Sequence, residues 1–152
     1  MRFKSSFRII STGDTMQYRL IDHTADFGIH VFGRDLKDLF ENASLAMSDL
    51  ITDISEVRGT HKMHFHITGD DWPDLMVNWL REILFFWAGK EQLVKYVEIS
   101  SLSEYALSAR VSYDAYSPER HVIKNEIKAV TYHQIQVGRK GAGWEAKIIF
   151  DI

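Results

Sequence analysis

The chain has 152 residues, 45% apolar and 26% charged, with a formal net charge of −3 and no cysteine. That length suits one domain, burying roughly two-thirds of its unfolded surface. The missing cysteine excludes disulfides, thiolate catalysis and cysteine-ligated zinc, and the acidic balance argues against a general nucleic-acid binder, which relies on a basic surface.

The N-terminal segment is basic, and Arg8 interrupts its short apolar run. It lacks the continuous apolar stretch of a signal peptide, and no segment has membrane-spanning length, so no membrane association is expected and cytoplasm is the default. Residues 1–15 end in the turn-like Ser11-Thr12-Gly13-Asp14-Thr15 before a second methionine, Met16. They are expected to form an extension outside the fold, with the domain spanning 16–152.

Tyr18, Leu20 and Ile21 make a short opening strand, followed by the polar knot Asp22-His23-Thr24-Ala25-Asp26. Phe27, Ile29 and Val31 alternate with Gly28, His30 and Phe32 in a second strand ending at Gly33. Asp35 caps a helix whose apolar residues, from Leu36 to Ile51, keep helical spacing to about Thr52. Asp38 in its first turn suits the helix dipole. This reads as an amphipathic helix.

His61–Thr68 alternates again, with Met63, Phe65 and Ile67 inward and Lys62, His64 and His66 outward. A second helix starts at Asp70-Asp71-Trp72-Pro73-Asp74 and stops at Gly89, with Pro73 in the first turn where its missing N–H is harmless. Its wide apolar stripe predicts burial on more than one side. Trp72, Trp79 and Trp87 are read as core residues rather than a partner-binding surface.

After Gly89 the period becomes two, predicting strands near 93–100, 106–113, 127–137 and 144–152. The last two are joined by a glycine-rich tip at 138–143, and the loop from Asp114 to Asn125 is long enough to suggest function. No internal repeat is evident. The order ββαβαββββ predicts a single two-layer α+β domain, two amphipathic helices packed on mostly antiparallel sheet.

Several places could carry chemistry. The knot at 22–26 offers oxygen and imidazole groups for a metal or for acid–base work, or only an Asx-type turn. His64 and His66 have the spacing of a zinc pair with Asp70 or Asp71 as a third ligand, but solvated strand positions account for them more simply. Lys128 either packs against a carboxylate or snorkels to solvent. The last strand places Trp144, Ala146, Ile148, Phe150 and Ile152 on one face and Asp151 on the other. Burying that face would hold the Asp151 side chain and the α-carboxylate of Ile152 together. Two such charges repel, and a hard cation is one remedy; a solvated Asp151 on an ordinary strand is the other reading.

Three stretches together resemble the archease family: Asp22-His23-Thr24-Ala25-Asp26-Phe27-Gly28-Ile29, Glu126-Ile127-Lys128-Ala129-Val130-Thr131-Tyr132-His133, and the terminal Asp151-Ile152. The segments Gly33-Arg34-Asp35-Leu36 and Ser117-Pro118-Glu119-Arg120-His121 are also similar, so the likeness covers 17–152. Phe27 and Ile127 replace smaller aliphatic residues of the family pattern and keep its apolar character. The resemblance implies a non-catalytic accessory protein of the GTP-dependent RNA ligase of tRNA splicing and RNA repair. Such a protein promotes guanylylation of the ligase and supports multiple turnover, and it meets RNA only through that partner. The resemblance also implies a divalent-cation site, calcium first with magnesium or manganese as alternatives, at Asp26, Asp151 and the main-chain oxygens of Ile152. Asp22 and His23 would stand behind the ligands, and Lys128 would serve activation. A chaperone-like module for RNA-modifying enzymes and a metal-dependent hydrolase are the competing expectations.

Overall fold

A computed structural model describes the backbone of residues 4–11, 15–23 and 26–152, and side chains at 18–21 and from 27 onward. The chain runs β1 (Lys4–Ser11), β2 (Thr15–His23), β3 (Asp26–Gly33), α1 (Leu36–Ile51), a 3-10 turn (Ile54–Glu56), β4 (His61–Thr68) and α2 (Trp72–Ala88). It continues through β5 (Gln92–Ser103), β6 (Ala106–Ala115), β7 (Ala129–Val130), β8 (Gln136–Lys140) and β9 (Gly143–Asp151). Among the described residues, one sheet has the order β1-β2-β3-β9-β7, with β8 also on β9, and a second has the order β4-β6-β5. Each of these pairings is antiparallel. The chain is therefore the expected α+β domain with two helices on antiparallel sheet, its strands divided between two sheets.

α1 lies between those sheets, touching β3 and β9 of one and β5 of the other. Residues 43 to 51 are all buried, so this amphipathic helix, like α2, is enclosed on several sides. Small residues allow it: Ala43, Ser44, Ala46 and Ser48 let strands approach closely. The serine hydroxyls return to helix carbonyls, Ser44 Oγ donating to Glu41 O and Ser48 Oγ to Ser44 O, each at 2.8 Å. Asp49, also inside, accepts from Tyr18 Oη at 3.1 Å and from the Ile54 backbone N–H at 3.2 Å, with Lys124 Nζ at 3.8 Å. α2 keeps Arg81, Glu82 and Phe85 exposed while burying Trp79 completely. Trp79 donates its indole N–H to Phe40 O at 3.0 Å, joining the two helices. The apolar surface behind the chaperone-like expectation is thus largely spent on the core.

The two helix starts are the same device used twice. Gly33-Arg34-Asp35-Leu36-Lys37-Asp38-Leu39-Phe40-Glu41-Asn42 and Gly69-Asp70-Asp71-Trp72-Pro73-Asp74-Leu75-Met76-Val77-Asn78 share glycine, both aspartates, leucine and asparagine at matching positions. Asp35 and Asp71 accept from the N–H of Asp38 and Asp74 at 2.8 Å. Asp38 and Asp74 accept in turn from the N–H of Arg34 and Asp70, the residue before each cap, also at 2.8 Å, a variant of the capping box built from aspartate. Asn42 and Asn78 then tie each helix back to the preceding strand, donating to Phe32 O at 2.8 Å and Thr68 O at 3.0 Å. A Cβ at Gly33 or Gly69 would collide with the backbone of Leu39 or Leu75, which explains both glycines. This repeat is short and punctuated by variable positions, so hydrophobic periodicity did not reveal it.

Of residues 1–15, Lys4–Ser11 form β1, paired with β2 from Lys4↔Asp22 to Ser11↔Thr15 at the sheet edge. Two expectations change. The strand expected over 127–137 breaks into β7 and β8. β7 pairs Val130 with Phe150 and β8 pairs Gln136 with Lys147, so residues 131–135 bulge out between them. Gln134 adopts φ 52° in that excursion. The loop from Asp114 to Asn125 turns out to cover the C-terminus of α1. Lys124 N donates to Ile51 O at 2.7 Å, Asn125 Nδ2 to Leu50 O at 2.6 Å, and Thr52 Oγ1 to Val122 O at 2.7 Å. Orphan carbonyls at the helix end are satisfied this way.

Candidate functional site

β9 holds the site in place because one of its faces is deeply buried. Ala146, Ile148 and Phe150 have no exposed surface and face the helices, which leaves positions 145, 147, 149 and 151 on the opposite, helix-free face. β3 pairs with one side of β9 and ends its ladder at Phe27↔Phe150. One step further in that register brings Asp26 level with Asp151. Across β9, Asp151 pairs with Ala129, and on the far side of β3 Asp26 pairs with His23. A single transverse row thus crosses four strands: His23, Asp26, Asp151, Ala129. Asp22 lies in the next row, opposite Phe27.

Lys128 flanks the row. Its backbone N–H donates to Asp151 O at 2.7 Å, while buried Ile127 and Val130 fix the chain on either side. The Lys128 side chain is exposed, and so is Asp151. Lys128 was expected in a regular strand from 127; it instead stands just before the two-residue β7. Gly28, two positions from Asp26, belongs to the same face of β3. A Cβ there would run into the Ile148 carbonyl oxygen, so only glycine lets β3 and β9 meet this closely beside the acidic row.

The expected anchor at Ile152 is corrected. Ile152 is 53% exposed, one residue past the end of β9 at Asp151. Phe150 is the anchor instead, packed edge-on against Phe27 with ring centroids 6.1 Å apart. The side chains of Asp22, His23 and Asp26, and all of Thr24 and Ala25, lie outside the described residues. Among the described residues no three acidic or histidine side chains gather around a metal position. That includes His64 and His66 on β4, where His66 Nδ1 lies 3.0 Å from Ser108 Oγ. Apart from the His23 imidazole, the donor types at the row are carboxylate and carbonyl oxygens, which suit calcium, magnesium or manganese better than zinc or copper.

The same open face carries a second feature. The bulge at 131–135 raises a wall beside β9 and leaves a cavity of about 480 Å³, floored by Ile21 and Ile149. Arg19 from β2 and Lys147 from β9 line it, as do His30 from β3 and the amides of Gln134 and Gln136. His30 Nε2 lies 3.5 Å from Glu145 Oε1, and Glu145 Oε2 lies 3.4 Å from Lys140 Nζ. Burial pushes the His30 imidazole below its ordinary value; Glu145 opposes this, while Lys147, Lys140 and Arg19 add to it. The bulge is braced from behind: Tyr132 Oη donates to Asp74 Oδ1 at 2.6 Å and Arg81 Nε donates to Val130 O at 3.1 Å. None of the cavity residues stood out in sequence. The available signal was Arg19, His30 and Lys147 at outward positions of three strands, and it needs the pairing to be known.

Comparison with known proteins agrees with this architecture. Residues 18–152 match the Archease protein family (MTH1598/TM1083). A protein archease of Methanosarcina acetivorans is 35% identical over 144 residues, covering 90% of this chain and 96% of that one. One of Thermoplasma acidophilum is 40% identical over 138 residues, covering 91% and 95%. The solution structure of Methanobacterium thermoautotrophicum protein 1598 superposes with a TM-score of 0.74 at 29% identity, over 88% of this chain and 96% of the other. No helix among the described residues is long and apolar enough to cross a membrane. With more than half its length matched and relatives above 30% identity aligned almost end to end, this chain belongs to the archease family.

Proposed function

We propose that this chain is a cytoplasmic, non-catalytic activator of a GTP-dependent RNA ligase, promoting ligase guanylylation and multiple turnover in tRNA splicing and RNA repair. The observation that supports the reading is the row across β2, β3, β9 and β7: Asp26 and Asp151 each lie one residue beyond the Phe27↔Phe150 pair that ends the β3–β9 ladder, and the Lys128 N–H donates to Asp151 O. These are the positions that the family resemblance marks, drawn from segments more than 100 residues apart in sequence.

Asp26, Asp151 and a main-chain oxygen of Ile152 would hold a divalent cation, calcium first and magnesium or manganese as alternatives. His23 would orient Asp26 by hydrogen bonding, as neighbours of metal ligands do; Asp22 pairs with Phe27 in the adjacent row, a register position of the opposite face. When bound, the cation would supply positive charge where phosphates of the ligase's nucleotide approach. Lys128 is a mobile point charge beside the row, able to balance the acids or reach those phosphates without ligating the metal. RNA meets the protein only through the ligase. The test is multiple-turnover RNA joining by a GTP-dependent ligase of the same organism, with and without this protein. Stimulation that disappears in Asp26→Asn and Asp151→Asn supports the reading, and turnover indifferent to the protein refutes it.

A further inference from the structure

The cavity on the open face plays no part in that proposal, and its chemistry differs from that of the acidic row. Its volume of about 480 Å³ falls within the range of small-molecule sites and exceeds what a bare inorganic anion fills. Two cationic side chains, Arg19 and Lys147, line it, and no carboxylate is among its described lining residues. Arginine and lysine recognise phosphate by complementary means, one as a planar fork and the other as a point charge. Ile21 and Ile149 give it an apolar floor, so a fully hydrated polar ligand would waste that surface. Gln134 and Gln136 each bring an amide with both donor and acceptor ends, suited to a heteroaromatic edge.

The cavity also has a structural cause. It exists because the register of β9 with its outer partners slips between Val130↔Phe150 and Gln136↔Lys147, and Gln134 takes φ 52° to make the excursion. Backbone irregularities of this kind are over-represented beside functional sites.

We propose that this cavity binds a nucleoside phosphate, with Arg19 and Lys147 on the phosphate, the base over Ile21 and Ile149, and the Gln134 and Gln136 amides on the base edge. The site is independent of any metal at the acidic row. His30, on the wall between Lys147 and Arg19, is the natural reporter. A bound dianion adds negative charge beside a ring that, among the described residues, now faces Lys147, Lys140 and Arg19 as cations and Glu145 as a carboxylate pairing with it.

The test is a nuclear magnetic resonance titration of the full chain in EDTA with inorganic phosphate, guanosine, GMP, AMP and a 5′-phosphorylated RNA tetramer. GMP or AMP should shift His30, Gln134 and Gln136 and raise the His30 pKa, with guanosine and phosphate alone binding at least tenfold more weakly. Lys147→Gln should weaken GMP at least tenfold. Gln136→Ala, on an exposed edge position, should weaken GMP several-fold and leave phosphate unchanged, with circular dichroism as the folding control. Tetramer binding weaker than GMP assigns the ligand to free nucleotide and supports the site, whereas tetramer binding tighter than GMP would overturn it in favour of an RNA end. Guanosine binding as well as GMP, GMP binding that requires a divalent cation, or shifts indifferent to both variants would overturn it.

Discussion

Asp151→Asn isolates the acidic row from the fold. Asp151 is exposed at the end of β9, and its structural tie is through its backbone carbonyl, which accepts from Lys128 N at 2.7 Å. The substitution keeps that bond and the side-chain volume, so stability without metal should change by less than about 0.5 kcal/mol. A cation held at the row would, in contrast, lose a full ligand charge. A tenfold loss of affinity is about 1.4 kcal/mol, and we expect at least that. Linkage converts affinity into melting temperature. At calcium equal to 100 times its Kd the wild type gains about 2.7 kcal/mol, and a tenfold weaker variant at that concentration gains about 1.4 kcal/mol. For a domain of this size each kcal/mol moves Tm by roughly 2–4 °C, so calcium should raise the wild type by roughly 5–10 °C and the variant by about half as much or less. Differential scanning fluorimetry with calcium, magnesium and manganese reads this directly, and isothermal titration calorimetry supplies the Kd. A variant with the full wild-type shift, or a wild type that none of the three cations stabilises, would refute the reasoning.

Other outcomes follow from the same geometry. Asp114 accepts from the N–H groups of Arg58, Gly59 and Thr60 and from Thr60 Oγ1 at 2.7–3.0 Å, so Asp114→Ala should cost about 3 kcal/mol in urea unfolding; an unchanged midpoint would contradict it. Burial alone would raise the Asp114 carboxyl, but those four bonds outweigh it and hold it well below its ordinary 3.8, so this stabilisation is lost as pH falls below that value. His30 works over a different window. Its folded pKa lies below the unfolded 6.5, so the unfolded chain binds the extra proton first and stability should fall as pH drops from 6.5; His30→Gln should flatten that slope. Gly28→Ala should cost about 1–3 kcal/mol by forcing β3 from β9, and thermal unfolding would show it.

Local patterns were legible where one physical signal dominated. Asp35 and Asp71 announced both helices, and Asp35 and Asp71 do cap them. Strict alternation located β3, β4 and β9, and the fully buried Ala146, Ile148 and Phe150 were all on the face expected. Alternation failed at 127–137, because a strand and a bulge of the same composition differ only in how many residues oppose β9. The depth to which α1 is buried was not legible for a related reason: serine and alanine look polar or neutral in a periodicity count, yet they are what allow two sheets to close on one helix. Ile152 looked like an anchor because it continues the alternation, although it lies past the end of β9 and is exposed. The acidic row could be suspected from Asp26 and Asp151 separately, but its assembly depends on strand order, which a one-dimensional pattern does not contain. The cavity depends on that order and on the bulge together, and so it emerged only in three dimensions.

The central claim is that this protein activates an RNA ligase through the row and through Lys128. The most direct measurement is transfer of radiolabelled guanylate from GTP to the purified ligase, in single turnover, alone and with the wild-type protein, Asp151→Asn or Lys128→Ala. Lys128 is exposed, and its backbone bond to Asp151 does not involve its side chain, so Lys128→Ala keeps the fold and the calcium-dependent rise in Tm. The account predicts faster guanylylation with wild type and at least a tenfold loss of that stimulation in both variants. Equal stimulation by Lys128→Ala and wild type, or no stimulation by wild type in the presence of calcium, magnesium or manganese, would contradict it.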